Sequence, residues 1–322
     1  MPYYLIKLHF NAPVHFGSSL SASSLVDGEM VFRADRLFSA LCHTLAHGDP
    51  SPQKLCALAK EGKLALSDAF PWKGDEFYLP RPCLESTVQR DTDAADRKVM
   101  KKLAYLPLSA YQSFLRSLSG GAALDPHSLT AHFGETYTVI HAAIQDGVDA
   151  VPYSVEQFRF DDNCGLYFLL KAEDDATFQS IHAAMRSLGI SGIGGKVSSG
   201  CGSFTVALAC PVGELPSPAA EHFAALLDDS DASCWISLTT CLPRDDELDE
   251  ALDGALFQLV RRSGFAQAVS LATPNKKREQ FFLRAGATFR HRFMGDVYDV
   301  APDGCPHPVY RYGIPLFLGV KQ

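Results

Sequence analysis

The stretch "SGIGGKVSSGCGSF", residues 191–204, holds five glycines in fourteen positions and a single charge, Lys196. Glycine admits backbone angles with φ > 0 and close approach of another chain. Exposed N–H groups in such a loop form a concavity for anions, to which Lys196 and the hydroxyls of Ser198 and Ser199 add contacts. The common nucleotide-binding loops do not match. Walker A needs glycine five positions before its Gly-Lys pair and Ser or Thr just after it, where this chain has Ile190 and Val197. The dinucleotide fingerprint also fails at Val197, which stands in place of its third glycine. An ordinary polar connection is the plain alternative, since Gly and Ser are common loop residues.

Other side chains offer proton transfer or phosphate contacts. His15 follows the first strand pattern, where an imidazole can take a proton from a ribose 2′-hydroxyl. No Tyr or Lys partner is set by spacing, and the chain has 11 histidines, His43, His47 and His291 among them, so a loop histidine is unremarkable. Asp35, in "RADRLF", suits the positive end of a helix better than a cleaving or metal-binding role. Arg33, Arg36, Arg290, Arg292 and Arg311 suit phosphate oxygens, because guanidinium pairs with them bidentately. Phe16 and Tyr310 can stack on splayed bases, whereas Phe32 and Phe289 read better as core.

Composition narrows these options. With 47% apolar and 20% charged residues in 322, the chain is globular and long enough for two domains. No apolar run is long enough to span a bilayer, and the first residues carry no signal-peptide layout, so a cytoplasmic protein without a membrane partner is expected. Nine cysteines, an odd count without any Cys-x-x-Cys, argue for no metal site and no cofactor, with Cys42 and Cys234 as small buried hydrophobes. A net charge of −8 excludes general nucleic-acid coating but not a local basic track. Such a track exists: residues 276–292 carry six basic side chains against Glu279 alone.

The elements that must position these groups follow from periodicity. Tyr4, Ile6, Leu8 and Phe10 alternate as a half-buried strand, and a Gly/Ser loop runs to about Gly28. Leu37, Phe38, Leu41 and Leu45 mark a helix face, Ser51–Lys60 a further short helix, and Ser109 a cap for a helix over Ala110–Leu118. Residues 77–108 read as irregular and 119–160 as an insertion. Gly165–Ala172 is a strand; Asp174 caps a helix closed by Gly189; Ser203–Ala209 is another strand after the Gly-rich loop. Two strand–helix–strand units predict an α+β, ferredoxin-like sheet covered on one face. The Pro-rich residues 210–221 read as a linker, which divides the chain into 1–210 and a smaller 211–322.

In order along the chain, "LIKLHFNAPVHFG", "FRADRLFSALCHTL", "YLPRP", "KKLAYLPL", "LYFLLK", "GIGGKVSSGCGSF" and "VYRYGIPLFLGV" resemble the Csm-type RAMP subunit of type III-A CRISPR effector complexes. This is the subunit that holds the crRNA 5′ tag. The resemblance implies two ferredoxin-like (RRM-like) domains, a Gly-rich loop at the crRNA, and a thumb-like hairpin on the first domain. The implied partners are the crRNA, a large Palm-domain subunit and the backbone RAMP subunit, with target RNA met indirectly. Carried onto this chain, tag contacts fall on His15, Phe16, Gly17, Ser18 and Ser19, on Arg33 and Arg36, and on Gly194, Gly195, Lys196, Ser198, Ser199, Gly200 and Gly202. Arg290, Arg292 and Arg311 join them on charge alone. Where the family carries an Arg-containing segment before its hairpin, this chain reads "YTVIHAAIQDGVDAVPYS", without arginine. The expected function is a non-catalytic RNA-binding subunit in antiviral defence. The alternatives are a crRNA-processing endoribonuclease using His15, and an assembly scaffold whose contacts are mostly protein.

Overall fold

In a computed structural model, the structure describes residues 1–17, 25–46, 48–86, 93–145, 148–215, 220–229, 231–266 and 275–321. The chain runs β1 (Tyr3–Phe10), α1 (Ala34–Thr44), α2 (Pro52–Lys60), β2 (Phe70–Lys73), β3 (Glu76–Pro80), α3 (Ala94–Lys102), β4 (Tyr105–Pro107) and α4 (Leu108–Leu118). A long hairpin follows, β5 (Gly134–Gln145) and β6 (Val148–Phe160), then β7 (Cys164–Ala172), α5 (Asp175–Ser191) and β8 (Phe204–Pro211). Beyond these lie α6 (Ala220–Asp228), β9 (Cys234–Ser237), β10 (Leu259–Arg262), β11 (Gln280–Leu283), β12 (Thr288–Phe289) and β13 (Phe317–Val320), with shorter pieces between.

The main sheet has the order β8-β1-β7-β2-β3-β4, with Leu64–Leu66 also on β7. β1 pairs antiparallel with β7 and β8, and β7 antiparallel with β2. With α1 following β1 and α5 following β7, this order fits the ferredoxin-like arrangement expected for the first half. The C-terminal strands form a smaller three-stranded sheet, β12-β9-β13, beside two-stranded pairs.

One expectation fails at the sheet's second face. Tyr4, Ile6, Leu8 and Phe10 do pack beneath the α1 face of Leu37, Phe38, Leu41 and Leu45. Leu5, between them, is 0% exposed as well. It joins Tyr167 and Leu169 in a second core with α4, Phe223 of α6, Ile236 of β9 and Leu318 of β13. The sheet is therefore covered on both faces, because the C-terminal region lies against the side that alternation had left open to water. The expected linker is part of the same core: Val212 and Leu215 are 2% and 6% exposed.

Helix ends refine in the same way. Asp174 caps α5 through Thr177 N–H (2.8 Å), and Ser51 caps α2 through Lys54 N–H. α4 starts at Leu108, with Pro107 at its cap and no side-chain cap bond. Gly189 does not end α5, which continues to Ser191 and stops at Gly192, φ 84°. Gly189 is small for another reason: a Cβ there would lie 2.3 Å from Phe204 O on β8. The region read as irregular contains β3, α3 and β4, and Gly134–Gln145 with Val148–Phe160 form the long hairpin. Cys234 is buried as expected, while Cys42 is only half-buried.

Candidate nucleic-acid interface

The Gly-rich loop is a braced hairpin between α5 and β8. Ile193 N–H donates to Gly202 O (3.0 Å), Gly202 N–H to Pro13 O (2.8 Å), and Gly195 N–H to His15 O (2.8 Å). Gly194 and Gly195 lie so close to the 13–17 turn that a Cβ on either would touch Phe16 or the His15 ring at 2.7 Å. The crest is a single 3-10 turn, Val197–Ser199, entered through Lys196 in the left-handed region, φ 60°. Ser198, Ser199 and Gly200 are exposed there. Among the described residues the backbone N–H groups of Lys196, Val197 and Ser198 have no hydrogen-bond partner. Three consecutive free amides beside a cation make a concavity for an anion.

The base of the long hairpin closes the other side. Val14 and Phe158 exchange backbone bonds of 2.8 and 2.9 Å. His15 Nδ1 donates to Glu156 O (2.7 Å), while Glu156 Oε1 accepts from Gly28 N–H (2.7 Å). His15 is 5% exposed, so its ring is a brace between loop and hairpin. Phe16, 1% exposed, packs on Phe10 and Phe32, which corrects the expectation that it stacks on a base. Lys196 Nζ reaches the Tyr153 hydroxyl at 3.1 Å and lies 4.6 Å from that ring's centre. Tyr153 stacks on His141 at 5.5 Å, and His141 Nε2 is buried without a hydrogen-bond partner among the described residues. Local sequence does not single out Glu156, Tyr153 or His141 as partners of His15 or Lys196. They lie more than a hundred residues in sequence from His15, and nothing in local spacing announces that contact.

The arginines separate into three groups. Arg33 and Arg311 are each 4% exposed, and burial corrects the expectation that they meet phosphates. Arg33 spends its guanidinium on Glu29 (2.8 Å) and Thr240 (3.1 Å), and Arg311 on the backbone carbonyls of Arg262, Ser263 and Arg278. Arg36 is half-buried and donates to Gly17 O, which ties α1 to the turn carrying His15. Burial, reinforced by Arg262, pushes its pKa down to about 10. Arg290 and Arg292 are exposed just after β12 of the C-terminal three-stranded sheet, Arg290 against Gly254 and Arg292 over the Trp235 ring at 4.3 Å. Ser18, Ser19 and His47 lie outside the described residues.

Asp35 is not a free carboxylate. It pairs bidentately with Arg262 at 2.7 and 2.9 Å, with side chains 7% and 4% exposed. Burial alone would raise its pKa, but the Arg262 and Arg36 guanidinium groups hold it below the ordinary value. Arg36, Lys277 and Arg311 all interact with the same carboxylate, so positive charge is in surplus at the start of α1. Asp68, nearby, accepts from the backbone N–H groups of Ala34 (2.9 Å) and Thr240 (3.0 Å) and from the Thr240 hydroxyl (2.6 Å).

Comparison with known proteins places this geometry. A family model described as the CRISPR Csm4 C-terminal domain matches residues 230–320. The CRISPR system Cms protein Csm4 of Mycobacterium tuberculosis (strain CDC 1551 / Oshkosh) is 36% identical over 317 residues, covering 96% of this chain and 95% of that protein. The chain belongs to the Csm4 family. The Csm4 protein of Streptococcus thermophilus is 30% identical over 331 residues and covers both chains fully. Among solved structures, a chain of the Csm3-Csm4 subcomplex in the type III-A CRISPR-Cas interference complex superposes with a TM-score of 0.66 at 18% identity, over 100% of both chains. A chain of the Csm1-Csm4 cassette in complex with pppApA gives 0.61 at 21%, over 100% of this chain and 98% of that one. These likenesses establish the mixed α/β fold. Among the described residues no helix is long and apolar enough to cross a membrane.

Proposed function

We propose that this Csm4-family chain is a non-catalytic RNA-binding subunit of a type III-A CRISPR effector complex. It anchors the crRNA 5′ tag and bridges the large Palm-domain subunit and the backbone RAMP subunit in antiviral defence. The observation that carries the RNA reading is the row of free amides at Lys196, Val197 and Ser198, set against the Lys196 cation. Backbone donors hold a phosphate without reading a base, which suits a strand whose position must be fixed. The buried, unpartnered His141 Nε2 beside Tyr153 is a polar group for the same strand. The partner reading draws support from the structural relatives, solved as Csm3-Csm4 and Csm1-Csm4 assemblies.

His15 supports the non-catalytic reading, since its ring is walled in by Gly195 and committed to Glu156 O. The test is copurification of the assembled complex, sequencing of the bound RNA and mapping of its crosslinks. Tag sequences crosslinked to the 194–202 peptide are expected. Subunit assembly without any crosslink from that loop would leave a protein scaffold instead. Metal-free cleavage of repeat RNA that disappears in His15→Ala would make the chain a nuclease.

A further inference from the structure

Two stretches that stand out in the sequence, "YLPRP" and "KKLAYLPL", have no part in the Gly-rich loop. The fold brings them together. Arg81 at the end of β3, Lys101 and Lys102 at the end of α3, and Tyr105 of β4 line one cleft of about 580 Å³, joined by Phe257 and Arg284 from the C-terminal region. That volume falls in the range of roughly 300–1,000 Å³ typical of small-ligand sites.

On a chain of net charge −8, five of the cleft's charged lining residues are basic and two acidic. Arg33 and Asp68, both buried, are already committed within the protein. Arg81 donates to Met100 O at 2.6 Å and so meets a terminal carbonyl of α3. Among the described residues Lys101 and Lys102, both exposed, have no ion-pair partner, and the Arg284 guanidinium has one hydrogen bond, a long one of 3.5 Å to Gln258. The Tyr105 hydroxyl likewise has no hydrogen-bond partner among them. Burial pushes its pKa up to about 12, so it remains a donor at neutral pH. Unspent cations beside aromatic walls are the combination that holds a phosphate and a base at once.

We infer that this cleft binds one phosphate-bearing nucleotide unit, its phosphate on Lys101, Lys102 and Arg284 and its base against Tyr105 and Phe257. The site stands apart from the Gly-rich loop and does not depend on it. A free nucleotide and a nucleotide carried in an RNA strand present the same chemistry.

The test uses the purified full chain with two probes, AMP by titration calorimetry and a single-stranded RNA carrying 4-thiouridine for photocrosslinking. At least one probe binds, and Lys102→Gln with Arg284→Gln weakens that probe about tenfold. Both substitutions are at exposed positions, so folding is retained, and Tyr105→Phe removes a single hydroxyl as a second check. Saturable AMP binding lost in the double variant identifies a free nucleotide as the ligand. RNA binding alone, with crosslinks on peptides containing Tyr105 or Phe257, identifies a strand-borne one. The inference is overturned if neither probe binds, if the double variant binds both as wild type does, or if crosslinks appear only on residues 191–204. RNA lost in Lys196→Ala but bound as in wild type by the Lys102→Gln, Arg284→Gln variant marks failure of this site and not of the loop.

Discussion

Lys196 Nζ lies 3.1 Å from the Tyr153 hydroxyl while the Lys196 backbone sits at φ 60°, the one positive φ of a non-glycine residue among those described. The side chain thus ties the Gly-rich loop to the long hairpin, and the backbone is held where L-residues are strained by about 1–2 kcal/mol. A left-handed residue at this point turns successive amides toward one side.

Lys196→Ala and Lys196→Gly separate the two roles. Both remove the cation, so both should weaken crRNA retention in the assembled complex and lower its salt slope by about one. Lys196→Gly also relieves the strained φ and should be more stable than Lys196→Ala by about 1 kcal/mol, with a higher melting temperature. Filter binding across a salt series, with thermal melts, reads both effects. A wild-type affinity and slope in either variant would remove Lys196 from the interface.

Gly202→Ala and Gly200→Ala should differ sharply although both sites have positive φ, 81° and 89°. At Gly202 the new Cβ would lie 2.0 Å from Ile193 O; at Gly200 it meets nothing within 4 Å. Gly200→Ala should cost only the strain of about 1–2 kcal/mol, whereas Gly202→Ala should break the loop's brace and abolish its RNA crosslink. Equal melting temperatures and equal crosslinking would show that the brace is not what shapes the loop.

Gly189→Ala tests the close approach of α5 and β8. In a free helix interior this change stabilises by about 1 kcal/mol. Here the Cβ would be 2.3 Å from Phe204 O, so a loss of about 1–3 kcal/mol is expected from overpacking. A raised melting temperature would contradict the packing.

Asp35→Asn leaves Arg262 buried without its carboxylate and should destabilise by about 3–5 kcal/mol. The wild-type pH dependence has a definite sign. The folded state holds Asp35 below its ordinary 3.8, so the unfolded chain takes up the proton first. The pair's contribution is complete above about pH 3.8 and is lost as pH falls toward the lower folded value. Urea melts of wild type should therefore steepen in that acid limb, and those of Asp35→Asn should lack the added slope. Parallel curves for the two proteins would refute the coupling.

The sequence by itself determined the elements whose information is local. Alternation in Tyr3–Phe10, the helical face of Leu37, Phe38 and Leu41, and the Asp174 cap were all readable, because each depends on neighbours within a few residues. The order of its motifs also pointed to the family. Only the tertiary structure decided what each charge does. Arg33 and Arg36 stand three residues apart on the same helix start, yet one is spent on Glu29 and Thr240 and the other is tied to Gly17 O beside the loop. Asp35 looked like a helix-dipole residue and is instead half of an ion pair with Arg262, 227 residues away. A long side chain's fate depends on what the rest of the chain brings within a few ångströms, and desolvation there sets whether it binds a ligand or the protein itself. The same reason hid the second face of the sheet, since Leu5 is buried by residues that follow the apparent linker.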